Sequence, residues 1–169
     1  MKALIIYKDL ASAAEVNIIL QHSAHNVNFV VQWSIRPWRM DMLRFPPSAE
    51  AALTDARDAH LIVFAGCCAQ SFPFWLEHWL KHWAKCRQIE DAALALFCEG
   101  NADTPSMSAI LELSQFATRH GLSFIFDEKM AVSPASIEVG SWLIRNRLIG
   151  RDSKTLQTLD PKTGDTSCG

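Results

Sequence analysis

The amino-acid sequence predicts an α/β fold in three layers, with a doubly wound sheet of five parallel strands in the order 2-1-3-4-5. Three observations predict it: strand-like and helix-like segments alternate five times, several predicted strands are apolar without interruption, and 169 residues are the length of one domain. Uninterrupted apolar runs are typical of parallel strands that helices cover on both faces. Because crossovers between parallel strands are right-handed, few topologies remain, and this order is common for five strands.

The elements follow one another along residues 1–150. The five predicted strands are Ala3–Tyr7, Val27–Trp33, His60–Ala65, Ala92–Phe97 and Leu122–Phe126. Ser12 and Glu15 have the spacing of a capping box, which starts a helix, and Gly121 is placed as a C-terminal cap. Signals of this kind predict five helices, at about Ser12–His22, Ala49–Ala59, Pro73–Cys86, Thr104–Gly121 and Ser133–Gly150.

Composition and charge narrow the class of protein. Residues 1–150 are expected to form the domain and residues 151–169 a polar C-terminal tail, because apolar residues become scarce there. Sixteen Lys and Arg against eighteen Asp and Glu give a net charge of −2, so neither nucleic acid nor a membrane surface is an expected partner. No signal peptide is visible, and the five cysteines lack metal or redox spacing. We therefore expect reduced thiols and a cytoplasmic protein.

The topology indicates where a ligand would bind before any motif is considered. In doubly wound sheets, ligands lie outside the carboxyl ends of the strands, at the point where the strand order reverses. Four connections of the predicted fold reach that edge: Lys8–Ser12, Ser34–Pro47, Gly66–Phe72 and Glu99–Thr104.

The connection after the third strand carries a family resemblance. The segment AGCCAQSFPFWLEHWLKHW resembles flavodoxin-like proteins and NADPH-dependent FMN reductases, in which a Gly-Ser-x-Pro-x-x-Leu-Lys pattern leads into a helix ending in Trp. Four residues match that pattern: Ser71, Pro73, Leu76 and Trp83. Gln70 and Glu77 depart from it, since the family has Gly and Lys there. The resemblance implies a flavodoxin-like fold and an FMN site at the carboxyl ends of strands 1, 3 and 4.

Seven residues are candidates for holding that cofactor: Lys8, Ser12, Arg36, Arg39, Cys67, Ser71 and Asn101. The phosphate loop that the resemblance implies is not matched, however. The turn after the first strand, YKDLASAAE, has no glycine, and Asp9 stands where it would repel a phosphate. After the fourth strand the chain offers only Gly100, where the family has several glycines around the flavin ring.

Other kinds of site receive less support. A phosphoryl-accepting receiver domain shares the topology but needs an aspartate at the end of the third strand, where this chain has Ala65 and Gly66. His78 and His82 have the spacing of a metal-binding pair, but no third ligand accompanies them. We assign no catalytic residue and no metal site.

Two hypotheses of function follow from these residues. The favoured one is a non-catalytic interaction or regulatory module that keeps the flavodoxin-like frame and has lost the FMN phosphate loop, so that no cofactor is expected. The alternative is an FMN- or nucleotide-dependent oxidoreductase that binds its cofactor at the carboxyl ends of strands 1, 3 and 4.

The sequence also predicts a homodimer. The connection Ser34–Pro47 is long and rich in Trp, Met, Phe and Arg, which are residues enriched at interface cores. It would form the contact together with the helix Trp75–Trp83, whose three tryptophans recur every four residues. The competing interpretation is that this connection covers its own sheet, and truncation of Trp38 distinguishes the two.

Overall fold

A computed structural model describes residues 1–25, 32–66, 72–98 and 107–126, and in them the predicted sheet is confirmed. The strands are β1 Lys2–Tyr7, β2 Ser34–Arg39, β3 Leu61–Ala65, β4 Ala93–Phe97 and β5 Ser123–Ile125. All pairs are parallel and the order is β2-β1-β3-β4-β5, which is that of flavodoxin-like folds. The helices are α1 Leu10–His25, α2 Pro46–Ala56, α3 Phe74–Cys86 and α4 Met107–Arg119, with a 3₁₀ helix at Met40–Arg44. The predicted helix at 133–150 and tail at 151–169 lie outside the described residues.

The second strand was placed wrongly by the sequence. The apolar segment at 27–33 predicted it, but β2 is Ser34–Arg39, with sequence SIRPWR. β2 lies at the edge of the sheet and is largely exposed, so its sequence need not be apolar. Proline is tolerated in such a strand because the N–H that it lacks can lie on the open side. The segment 34–47 is therefore not a connecting loop: it forms β2, the 3₁₀ helix and the start of α2.

The second helix begins earlier than predicted, because its first positions accept prolines. α2 begins at Pro46 rather than after Ser48, and Phe45 is its N-cap residue. Two prolines occupy the first helical positions, where the missing N–H groups have no partner to lose and the fixed φ suits the helix.

The two faces of the sheet carry separate cores. Leu4 and Ile6 of β1 pack towards α2, α3 and α4, whereas Ala3 and Ile5 pack towards α1. This alternation is the two-residue period of a strand. β3 and β4 are buried along their whole length, as their uninterrupted apolar sequences predict.

The tryptophans of α3 belong to the larger of these cores. Trp83 and Trp79 are 0% and 4% exposed, and their indole N–H groups donate to carbonyl oxygens of α2. The donor–acceptor distances are 2.9 Å to Ala56 and 3.1 Å to Ala49. These two indoles join α3 to α2 within one chain. The contribution of the helix Trp75–Trp83 to a dimer stays a prediction.

Candidate functional site

The first turn after β1 is organised by a carboxylate. Asp9 precedes α1, and its Oδ1 accepts a hydrogen bond from the backbone N–H of Ser12 at 2.8 Å. Its Oδ2 accepts another from the Ser12 hydroxyl at 2.9 Å. This is the geometry of an N-cap, in which a side-chain oxygen satisfies a free amide of the first turn. The cap is therefore Asp9 and not Ser12, which the capping-box spacing had indicated.

Ser12 is consequently unavailable to a ligand. Its side chain is 1% exposed, and its hydroxyl donates to Asp9. The sequence predicted that this hydroxyl would hold a cofactor phosphate. In the folded chain it holds the capping carboxylate instead.

Gly66, directly after the neighbouring strand β3, packs against this turn. It follows β3 with a φ of +69°, and its N–H donates to the carbonyl of Phe97 at 3.2 Å. A Cβ atom at this position would lie 2.5 Å from Asp9 Oδ2 and 2.9 Å from Ser12 Oγ. Both the positive φ and the lack of space require glycine here. Sequence analysis did not find this role, although an Asp directly before a helix and a Gly directly after a buried strand were its two signals.

The electrostatics of this turn favour a charged Asp9. The hydrogen bond from the Ser12 backbone N–H is the main cause that lowers the pKa of Asp9, and it outweighs the opposing effect of burial. The Ser12 hydroxyl, the Ala11 N–H and the charge of Lys8 lower the same pKa further. The first turn of α1 therefore already holds an anion, which is the chain's own carboxylate. The described residues do not fit the phosphate of FMN at this position, because it would need the same amides and would meet a like charge.

A cleft of about 440 Å³ lies on the other side of β1, at the carboxyl ends of β1 and β2. It is lined by Tyr7 at the end of β1, by Lys8, Asp9 and Leu10 at the turn into α1, by Arg39 at the end of β2, and by Met40 and Asp41 of the 3₁₀ helix. Tyr7 and Arg39 are register partners in the sheet. The volume is within the range of small-molecule sites, about 300–1,000 Å³. Two of the predicted cofactor residues, Lys8 and Arg39, thus meet in one cleft.

Arg39 and Asp41 form an ion pair in the wall of this cleft. Arg39 Nε donates to Asp41 Oδ1 at 2.7 Å, and a second guanidinium nitrogen contacts Oδ2. The hydrogen bond from Arg39 lowers the pKa of Asp41, and the carboxylate in turn raises the pKa of Arg39. Both side chains are more than half exposed. The guanidinium already has an anionic partner, so a ligand at Arg39 would compete with Asp41.

The remaining predicted residues do not join this arrangement in the part of the chain that the structure describes. Arg36 is exposed near the middle of β2 and does not line the cleft. Cys67, Ser71 and Asn101 lie outside the described residues.

The cysteines correct one expectation. Cys86 is free, whereas Cys98, buried next to the carboxyl end of β4, is disulfide-bonded. The expectation of reduced thiols is therefore wrong for Cys98. Spacing along the sequence did not indicate this bond, because none of the five cysteines has the two-residue gap of a redox pair.

Within residues 1–25, 32–66, 72–98 and 107–126, no cluster of three or more His, Cys, Asp or Glu could hold a metal ion. None of the helices in these ranges is both long and apolar enough to cross a lipid bilayer.

The chain is similar to known proteins in its structure and not in its sequence. No family model matches the sequence, and no curated protein sequence matches it. Among solved structures, the chain is similar to a mutant flavo di-iron protein from Thermotoga maritima, with 15% sequence identity and a TM-score of 0.49. The match covers 87% of this chain and 36% of that chain, so this chain spans little more than a third of the length of that protein. The flavodoxin-like fold rests on the strand order and the layers of helices described above.

Proposed function

We propose that this chain is a flavodoxin-like interaction module that does not use FMN. The observation that carries the proposal is the Asp9 carboxylate, which occupies the amides at the start of α1. A phosphate bound there would need to displace a hydrogen-bonded anion and then bear its repulsion. Gly66 packs against the same carboxylate, so the first turn has little room to rearrange.

The distribution of exposed apolar side chains supports a role in binding another protein. The described residues expose seven large hydrophobic side chains, and five of them lie towards the carboxyl edge of the sheet. Those five are Leu10, Met42, Phe45, Phe74 and Met107. Each stands at the start of a helix or in the 3₁₀ helix after β2. Apolar side chains gathered at one end of a molecule are typical of protein-binding surfaces.

Titration with FMN tests the proposal. Purified protein is expected to be colourless, and millimolar FMN should neither shift its melting temperature nor lose fluorescence in a saturable way. Asp9→Ser is the matched variant, because serine keeps the N-cap and removes the charge. A gain of phosphate or FMN binding in Asp9→Ser would identify the carboxylate as the blocking group. Saturable FMN binding by the unaltered chain would contradict the proposal.

The second candidate function is an FMN- or nucleotide-dependent oxidoreductase. The cleft between the ends of β1 and β2 favours it, because its volume suits a small molecule and Lys8 and Arg39 line it beside a half-buried tyrosine. Asp9 and Asp41 line the same cleft, so a ligand there would meet charges of both signs. Asp9 is one of the residues that line this cleft, so an anionic ligand would lie beside its carboxylate and depend on Lys8 and Arg39 for countercharge. Arg39→Met should then weaken nucleotide binding, whereas Arg36→Met, on the same strand but outside the cleft, should not.

A further inference from the structure

We propose that the partner of this module is a second copy of the chain, which docks on the corner formed after β2. This surface, the β2 corner, consists of Lys8, Leu10, Asp41, Met42, Arg44 and Phe45. The inference names a partner for the interaction role proposed above and rests on that role. The proposed contact includes residues of the segment 34–47, which the sequence predicted to contribute to a dimer. It does not include the tryptophans of α3.

The apolar residues of the β2 corner are held outwards by a fixed backbone. Leu10 is 74% exposed, Phe45 59% and Met42 41%. Leu43, between them in the 3₁₀ helix, is 4% exposed and anchors that helix in the core. The N–H of Phe45 donates to the carbonyl of Met42 at 3.1 Å, which fixes the turn into α2. Burying Leu43 therefore commits Met42 and Phe45 to solvent or to another chain.

The charges of the β2 corner are complementary to those of a second copy. Lys8 and Arg44 form no ion pair within 4.0 Å among the described residues, and the ion pair of Asp41 with Arg39 is exposed. Backbone N–H groups of Asp41 and Met42 also donate to the Asp41 carboxylate. In a two-fold contact, each surface meets its own copy, so a residue i that touches j also has j touching i. Asp41 of one copy can then pair with Arg44 or Lys8 of the other, and the same pair forms twice. Because exposed ion pairs contribute little to a fold, Asp41 exchanges partners at small cost.

Two other ways of pairing copies, through the edge of β2 and through the tryptophans of α3, are unfavourable in the described residues. The open edge of β2 contains Pro37, which cannot donate to a neighbouring strand, and Arg36 and Arg39 beside it are exposed. Prolines and charged side chains are features that prevent edge strands from pairing. Trp79 and Trp83 of α3 are already bonded to α2. A contact through side chains of the β2 corner needs neither the open edge of β2 nor the tryptophans of α3.

Sedimentation over a range of protein concentrations tests this inference, with Phe45→Asp as the disrupting variant. Aspartate at an N-cap position supports α2, so this change should leave the fold intact. Phe74→Asp is the matched control, because Phe74 is 78% exposed at the start of α3 but lies outside the β2 corner. We expect a monomer–dimer equilibrium whose dissociation constant rises about tenfold or more in Phe45→Asp and stays unchanged in Phe74→Asp.

Three outcomes would overturn the inference. They are a species of 18.9 kDa at every concentration, a dimer that Phe45→Asp leaves intact, and a dimer that Phe74→Asp weakens equally. Sedimentation with FMN present, followed at the flavin absorbance, separates this result from the proposed function. Flavin that sediments with the protein contradicts the proposed function, whereas a monomer without bound flavin contradicts only the dimer.

Discussion

The amino and carboxyl edges of the sheet are built in different ways. At the amino edge, several polar groups are satisfied within the chain, although the buried indole N–H of Trp33 has no partner among the described residues. The N–H of His60 donates to the carbonyl of Lys2 at 2.9 Å, and the Lys2 ammonium pairs with Asp58 at 2.6 Å. The Arg87 guanidinium donates to three carbonyl oxygens, including that of His120 at 3.0 Å. At the carboxyl edge, one polar cluster around Asp9 is accompanied by exposed apolar side chains.

This difference suggests that the amino edge contributes mainly to the stability of the fold and the carboxyl edge mainly to binding. The amino edge joins the ends of the helices to the strands that follow, so its hydrogen bonds hold the layers together. The carboxyl edge leaves large apolar side chains in solvent, which is unfavourable by about 25 cal/mol per Å² unless a partner covers them. We therefore expect substitutions at the amino edge to act mainly on folding. Those at the carboxyl edge should act on binding, except at internal contacts such as the cluster of Asp9, Ser12 and Gly66 and the hydrogen bond from the Phe72 N–H to Glu112.

Gly66→Ala should have the largest effect on stability, and it tests whether the Asp9 cluster at the carboxyl edge acts on folding. Its positive φ and the 2.5 Å approach to Asp9 predict a loss of about 2–3 kcal/mol of unfolding free energy. Gly121→Ala at the amino edge is the control, because Gly121 has a φ of +64° but no atom near the added Cβ. It should lose only about 1 kcal/mol. Chemical denaturation measures both, and equal losses would contradict the role of the Asp9 contact.

The same contact predicts non-additivity. If the clash with Asp9 is what makes Gly66→Ala costly, removing the carboxylate relieves it. The double variant Gly66→Ala with Asp9→Ala should therefore lose less free energy than the two single variants together. Strict additivity would show that the cost comes from the backbone conformation alone.

Arg87→Met should have the next largest effect, about 2 kcal/mol. Methionine keeps the aliphatic stem, but the carbonyls of Ala84, Ile89 and His120 lose a charged donor. Arg119→Met is the control, because the Arg119 side chain is exposed at the end of α4 and its guanidinium has none of the hydrogen bonds that Arg87 makes. It should change stability by less than about 0.5 kcal/mol. Similar losses in both variants would argue against the hydrogen bonds of Arg87 as the link between α3 and α4.

Asp9→Ala should have a smaller effect that depends on pH. Loss of the N-cap predicts about 1 kcal/mol at neutral pH. Because hydrogen bonding lowers the pKa of Asp9 below 3.8, its charge stabilises the folded chain above that pH. The stabilisation is lost as the pH falls through the lowered pKa, so the two proteins should converge in acid. Asp9→Asn, which keeps a capping oxygen and does not titrate, should remain closer to the unaltered chain at neutral pH.

The smallest effect is expected from His120 at the amino edge. Burial is the main cause that lowers its pKa, and Arg119, Arg87, Lys81 and Lys85 lower it further. The folded chain therefore favours neutral His120, and this contribution is present above pH 6.5 and lost as the pH falls through the lowered pKa. His120→Phe keeps a ring against Phe116, whose centroid is 4.4 Å away, and does not titrate. Between pH 8 and pH 5, the free energy of unfolding should fall less in His120→Phe than in the unaltered chain, as chemical denaturation measures. An equal fall in both proteins would assign the pH dependence to other groups.

Trp38 shows how the structure changes an expectation from the sequence. As a residue of a loop, it was expected to anchor a dimer. In β2 it is half-buried, packs against the core, and donates its indole N–H to Asp55 at 3.1 Å. Trp38→Ala should therefore lower stability and leave a dimer through the β2 corner in place.

The sequence by itself determined most of the fold. β1, β3 and β4 were readable because buried parallel strands must be apolar on both faces, and α3 because its start at proline and its apolar stripe are local features. β2 was not readable, because an edge strand that is exposed on one side follows no such rule. Right-handed crossovers leave few topologies, and the order 2-1-3-4-5 was predicted because it is common among them for five strands.

Only the tertiary structure decided the site. The sequence showed that Asp9 would oppose a phosphate, but not that its carboxylate caps α1 while Gly66 packs on it from β3. Nor did it show that Lys8 and Arg39 share a cleft while Arg36 lies outside it. The physical reason is that apolar periodicity is a property of neighbouring residues. Hydrogen bonds and close approaches at a sheet edge join residues far apart in the chain, and their distances are set by register and packing.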